Sequence, residues 1–240
     1  MARIIKNNKT STYKKYYYKG IMKIVFCSIT AVLGVVLIGA TKGLSILLFI
    51  SLLFIQPEIK HFEIMNVGLK GERITDDILL ELPGKYNILS DVIIHKKGGK
   101  NQLDHVVVGR NGIFIVETKF HSGIIKGNDK DVKVLQTKCD SFGKPYHKRF
   151  LNPTLQVETH IRAVERILEL HGYHNVNIVG MVFFSNKNAT VKLKSKRMQI
   201  FSMAKKGRVK LLRYIKWYRP DNKLSKQEIS GIIDILLDKR

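Results

Sequence analysis

"DHVVVGRNGIFIVETK", residues 104–119, is two apolar runs around a short turn, with charges at its open end. Successive side chains of a strand point to opposite faces. Val106, Val108, Ile113 and Ile115 therefore share one face, and Val107, Phe114 and Val116 the other. With both faces apolar, the stretch reads as a central strand pair. Asp104, Glu117 and Lys119 break that pattern. A loop from Gly109 to Gly112 pairs Val108 with Ile113 and sets Asp104 opposite Glu117. A turn made of Asn111 and Gly112 alone, the form this dipeptide prefers, sets Asp104 opposite Lys119, with Glu117 as its diagonal neighbour. Either turn gathers all three charges on one face. Opposed residues lie about 4.5–5.5 Å apart at Cβ, and diagonal ones about 7–8 Å. Two carboxylates that close can share a divalent cation, and a lysine beside them can hold a water or a phosphate oxygen. A cross-strand ion pair at a solvated strand end is the plainer alternative.

The rest of the composition bears on partners. Lys and Arg total 42 against 19 Asp and Glu, a formal charge of +23 over 240 residues. Such an excess points to an anionic partner, either nucleic acid or an anionic membrane face. The two cysteines, Cys27 and Cys139, argue against a disulfide framework and exclude a cysteine-based zinc site. The pattern suits a reducing compartment.

Between Lys23 and Glu58 the only charged residue is Lys42. This predicts a membrane anchor over 24–56, made of two helices with a break near 39–43. The basic flanks on both sides favour a hairpin with both ends in the cytoplasm, hence a multi-pass protein of the cell membrane. Residues 1–23 then form a basic juxtamembrane tail, whose Tyr and Lys mixture suits anionic lipid headgroups, and 57–70 a linker.

Beyond the linker, apolar spacing predicts a helix over 71–82 and a strand over 86–95, with a turn at 96–100. Short strands follow at 122–127 and 131–136, then a polar loop over 137–151 suited to contacting a substrate. Asn152, Pro153 and Gly172 frame a helix as cap, first residue and stop. A buried strand over 176–185 and two weaker strands near 189–193 and 198–202 precede a last helix that Ser225 and Glu228 open as a capping box. The order of elements predicts a mixed sheet with helices on both faces. His105 alternates away from the three charges and reads as structural; His95, His121, His147, His160, His171 and His174 read as surface or loop residues.

Asp, about a dozen residues, then Glu-x-Lys resembles the core signature of PD-(D/E)xK nucleases. More narrowly, "GLKGE" (68–72), "QLDHVVVGRNGIFIVETK" (102–119), "GIIKG" (123–127) and "NPTLQ" (152–156), in that order, resemble the NERD (nuclease-related) domain. The resemblance implies an α/β fold: a restriction-endonuclease-like mixed sheet flanked by helices, here preceded by the transmembrane helical hairpin. It implies a domain over 71–202, with 203–240 as a helical extension packed on it. It implies that Asp104 and Glu117 bind Mg²⁺ or Mn²⁺, and that Lys119 orients the attacking water or stabilises charge on the phosphate. Glu72 and Gln156 match further family positions, as a supporting ligand and a water- or substrate-positioning group. The function expected is a membrane-anchored, metal-dependent nuclease acting on nucleic acid, DNA ahead of RNA. The alternative is a catalytically silent module that tethers nucleic acid or a partner to the membrane.

Overall fold

The computed structural model describes the backbone of residues 1–6, 12–36, 44–96 and 99–238. In chain order the elements are β1 (Arg3–Lys6), α1 (Thr12–Val36), α2 (Leu44–Leu79), β2 (Asn87–Lys96), β3 (Gly99–Gly109), β4 (Gly112–Lys119), β5 (Gly123–Asn128), β6 (Lys133–Cys139) and β7 (Pro145–Leu151). They continue with α3 (Pro153–Leu170), β8 (Ile178–Phe184), β9 (Ala189–Lys194), β10 (Gln199–Ser202), a 3₁₀ turn (Met203–Lys205), α4 (Gly207–Trp217) and α5 (Lys226–Leu236). Two compact units result: Met1–Asn7 with Lys70–Arg240, and Asn8–Leu69.

In the larger unit, six strands form a mixed sheet in the order β1-β2-β3-β4-β8-β10. The β2–β3 and β3–β4 pairs are antiparallel; β1–β2, β4–β8 and β8–β10 are parallel. Alternation buries both faces of the central hairpin. Val106, Val108, Ile113 and Ile115 pack with Val164 and Leu168 of α3 and with Ile232 and Leu236 of α5. Val107, Phe114 and Val116 pack with Leu79 of α2 and with Leu211 and Ile215 of α4. The mixed sheet flanked by helices therefore follows from two apolar faces that each need a cover.

The hairpin register pairs Val108 with Ile113 and Gly109 with Gly112, so Arg110 and Asn111 form the turn. Of the two registers open in the sequence, this is the one that sets Asp104 opposite Glu117. Gly112 adopts φ 120°, and a Cβ there would lie 2.7 Å from the Asn177 carbonyl oxygen, so the strand-to-strand approach needs glycine.

A second sheet, of four strands in the order β7-β6-β5-β9, was not expected. The polar stretch 137–151, expected as a loop, instead supplies the end of β6 and all of β7. Most of β7 is exposed, so it lacks the apolar alternation that marks a strand in sequence. At the other end of the domain, residues 3–6, expected in the basic tail, form an edge strand beside β2.

The expected transmembrane hairpin and cell-membrane location are corrected. Among the described residues, no helix is long and apolar enough to cross a membrane. The reason is visible in the helix limits. α1 starts at Thr12 and takes in Lys14, Lys15, Lys19 and Lys23; α2 runs through Pro57 into the charged 58–79 segment, including the expected linker. The expected break at 39–43 lies outside the described residues. No finding supports a membrane or lipid partner. Within the smaller unit, the Tyr17 and Phe62 rings meet at 5.1 Å.

Candidate active site

The sheet is distorted where the charges sit. The β2–β3 ladder skips the Asp91/Asp104 pair, and Asp91 takes φ 57°. On each strand the alternation slips: Leu89 and Val92, and likewise Leu103 and Val106, face the same cluster although three residues apart. One residue on each strand drops out of the pairing with no change of register, and the side chains on either side of the break are re-aimed. Gln102 Nε2 donates to Asp91 Oδ1 at 2.8 Å and holds the distortion. Asp104, freed from the ladder, accepts the Thr118 backbone N–H at Oδ2, 2.9 Å.

Glu117 is 3% exposed, which forces its charge to find partners. Lys119 Nζ donates to Glu117 Oε1 at 2.5 Å, and His160 Nε2 lies 3.3 Å from Glu117 Oε2. His160 projects from α3, one helical turn after Gln156, so the two share a helix face. Asn152 starts that helix by accepting the Thr154 N–H at 3.1 Å.

Glu72 comes from the last part of α2. Gly71 precedes it, where a Cβ would lie 2.6 Å from Phe120 Cβ and 3.1 Å from Ser185 Oγ. That close approach holds the segment of α2 from Lys70 onward against the ends of β4 and β8. Glu72 acts electrostatically on both Asp104 and Lys119.

The titration shifts record the resulting field. Burial, reinforced by the negative charges of Glu117 and Glu72, pushes the Asp104 carboxyl up to about 8, against Lys119 and His105. Burial also works to raise Glu117, but Lys119 and His160 overcome it and hold that carboxyl below its ordinary value. Burial pulls Lys119 down, yet Glu117, Asp104 and Glu72 outweigh it and raise the ammonium above its usual range. Glu117 and Lys119 thus agree on an ionised pair, while Asp104, buried beside two further carboxylates, holds its proton far more tightly than an ordinary aspartate.

The structure brings Asp104, Glu117 and Lys119 together with Glu72. Gln156 stands on the neighbouring helix face. Sequence reasoning missed His160, which is 8% exposed rather than a surface residue. Its signal was its place on the apolar stripe Val157, His160, Val164 and Leu168 of α3. His105 lies on the opposite side of the hairpin, with Nε2 3.2 Å from Asp76 Oδ1 and Nδ1 3.4 Å from Thr118 Oγ1. Among the described residues, no three His, Cys, Asp or Glu side chains form a ready metal cage.

Residues 67–185 match the family model described as "Nuclease-related domain". This part of the chain is a nuclease-related domain. All of Glu72, Asp104, Glu117, Lys119, Gln156 and His160 fall inside it. An uncharacterized protein of Bacillus anthracis is 33% identical over 107 residues, which is 42% of this chain and 47% of that relative. The match therefore spans about half the relative's length. No solved structure matches the chain.

Proposed function

We propose that the nuclease-related domain hydrolyses phosphodiester bonds of nucleic acid with the help of a divalent cation. The observation that carries this reading is the cluster of Asp104, Glu117 and Glu72 around Lys119, in which burial, reinforced by the two neighbouring carboxylates, pushes Asp104 up to about 8. A hard cation suits that group: the donors are carboxylate oxygens, and added positive charge relieves their mutual repulsion. Asp104 and Glu117 would hold it, with Glu72 in support. Such a cation, when bound, polarises the phosphate and lowers the pKa of a water nucleophile.

The chain's own residues would do the rest. Lys119 stays protonated, because its carboxylate neighbours raise it. It therefore acts as an electrostatic stabiliser of the charged phosphate rather than as a base. His160 keeps Glu117 oriented through Oε2, leaving Oε1 to face Lys119. Gln156, a turn away, would position water or substrate. The Thr118 N–H fixes Asp104 from the backbone.

The test is cleavage of labelled DNA and RNA by the purified full chain with Mg²⁺ or Mn²⁺. Glu117→Gln is expected to abolish cation-dependent cleavage. Lys119→Met is expected to lower turnover by about 100- to 1000-fold, the usual loss for one preorganised electrostatic group. Cleavage that survives both substitutions would overturn the assignment. Binding without cleavage in the unaltered chain would leave a silent binding module.

A further inference from the structure

The four-stranded sheet has two unlike faces. Ile125, Val134, Ala189 and Leu193 point inward to an apolar cluster shared with Val182 and Phe184 of β8. The other face is solvated, and its register can be followed across the strands. Arg149 pairs with Leu135, Leu135 with Lys126, and Lys126 with Lys192. Lys133 pairs with Leu151, and Lys194 with Asn128, one step further along the same face. Arg149, Lys126, Lys192, Lys133 and Lys194 are all exposed.

Charge on this face is of one sign. β5, β6, β7 and β9 contain no Asp or Glu. None of the five cations is ion-paired among the described residues. The nearest carboxylates are occupied with turns: Asp131 accepts from Asn128 N, Asp129 from Lys196 N, and Asp140 from Phe142 N and Lys144 N. Lys126 and Lys192 are direct neighbours on adjacent strands, about 4.8 Å apart in the pairing direction. Like charges placed so are destabilising. A face needed only for solubility would intersperse both signs.

We propose that this outer face binds the phosphate backbone of nucleic acid, as a grip distinct from the candidate active site. A row of cations across three strands offers charge complementarity to a phosphate chain, without base-reading geometry. β5 follows Lys119 after residues 120–122, so Lys126 lies within about 25 Å of chain from the site. The grip would therefore hold the strand that the site cuts. The choice of nucleic acid over other polyanions rests on the nuclease-related reading of the domain.

The experiment is fluorescence anisotropy of the full chain with labelled single- and double-stranded DNA and RNA, across 50–200 mM salt as the probe range. The variant is the triple Lys126→Gln, Arg149→Gln, Lys192→Gln. The salt slope is expected to fall by about three for duplex DNA, at about 0.9 per lost phosphate contact. The triple variant should melt no lower than the unaltered chain, since it removes repulsion. A second variant, Lys133→Gln with Lys194→Gln, should remove about two from the slope. Glu117→Gln should bind with the original slope while failing to cleave. Binding with an unchanged slope in both lysine variants overturns the grip and leaves the catalytic reading standing. Cleavage absent but slope reduced overturns catalysis and supports the grip. Binding to phosphatidylserine vesicles through these lysines, with no nucleic-acid binding, overturns the assignment of the partner.

Discussion

The two sheets of the larger unit put charge to opposite uses. The six-stranded sheet is apolar on both faces of its central hairpin and gathers Asp104, Glu117 and Lys119, shielded from water, at one end of it. The four-stranded sheet is apolar on one face only and leaves its cations in water. Lys119 must pair with Glu117, because a buried ammonium without a partner is costly. Lys126 needs no partner, because water solvates it and salt screens it over roughly 10 Å. Strong local fields, and with them chemistry, belong to the first environment. Long reach and salt-sensitive capture belong to the second.

Asn152 ties α3, which covers the six-stranded sheet, to the β5–β6 turn of the other sheet, so it offers the sharpest way to break the comparison. Its Oδ1 caps α3, and its Nδ2 donates to the carbonyls of Asn128 and Asp131 in the β5–β6 turn, at 2.9 and 2.7 Å. The residue is fully buried. Asn152→Ala removes a cap worth about 1 kcal/mol and leaves buried carbonyls unpaired at a further cost of about 1–3 kcal/mol. A loss of about 3 kcal/mol in urea unfolding is therefore expected. Ser225→Ala removes only the exposed cap of α5 and should cost about 1 kcal/mol or less. Equal losses at the two caps would show that Asn152 does not join the sheets.

How far the sequence reached follows the same division. The central hairpin was legible because both its faces are apolar and alternate strictly; only the turn was left open between two registers. The α3 and α5 boundaries were legible because Asn152, Pro153, Gly172, Ser225 and Glu228 have local, directional roles. β7 was hidden because an edge strand with solvent on most positions leaves no periodic pattern. The break in pairing at Asp91 and Asp104 was hidden because it upsets alternation on two strands at once, which no single-strand pattern reveals. The apolar runs before residue 57 suggested spans because a run shows composition but not where the helix containing it begins and ends. His160 was missed for a different reason: its partner, Glu117, is distant in sequence, so only packing brings them together.

His160 sharpens the comparison on the buried side. If its role is to orient Glu117, His160→Ala should reduce turnover by about 10- to 100-fold, as loss of an outer partner of a ligand does. Nucleic-acid affinity and the salt slope, which belong to the outer sheet, should not change. His160→Gln keeps a donor near Glu117 Oε2 and should restore part of the rate. Steady-state kinetics with anisotropy on the same samples would check this. A rise in KM with turnover intact would place His160 in substrate binding instead.

The smallest expected effect lies between the two sheets, at His121. Its ring stacks on Phe150 with centroids 4.1 Å apart. Burial, then Lys119 from the first sheet and Lys138 from the second, lowers its pKa to about 4. An unfolded histidine titrates near 6.5. The unfolded chain therefore takes up the proton first, so this residue's contribution to stability is complete above about 6.5. It is lost progressively as pH falls from there toward about 4. NMR titration of the ring should show the low value directly. Lys138→Gln removes one of its causes and should move the ring part of the way back toward 6.5, flattening the acid loss of stability in that window. A ring that titrates normally in the unaltered chain would mean that the cations of the two sheets do not act on a common point.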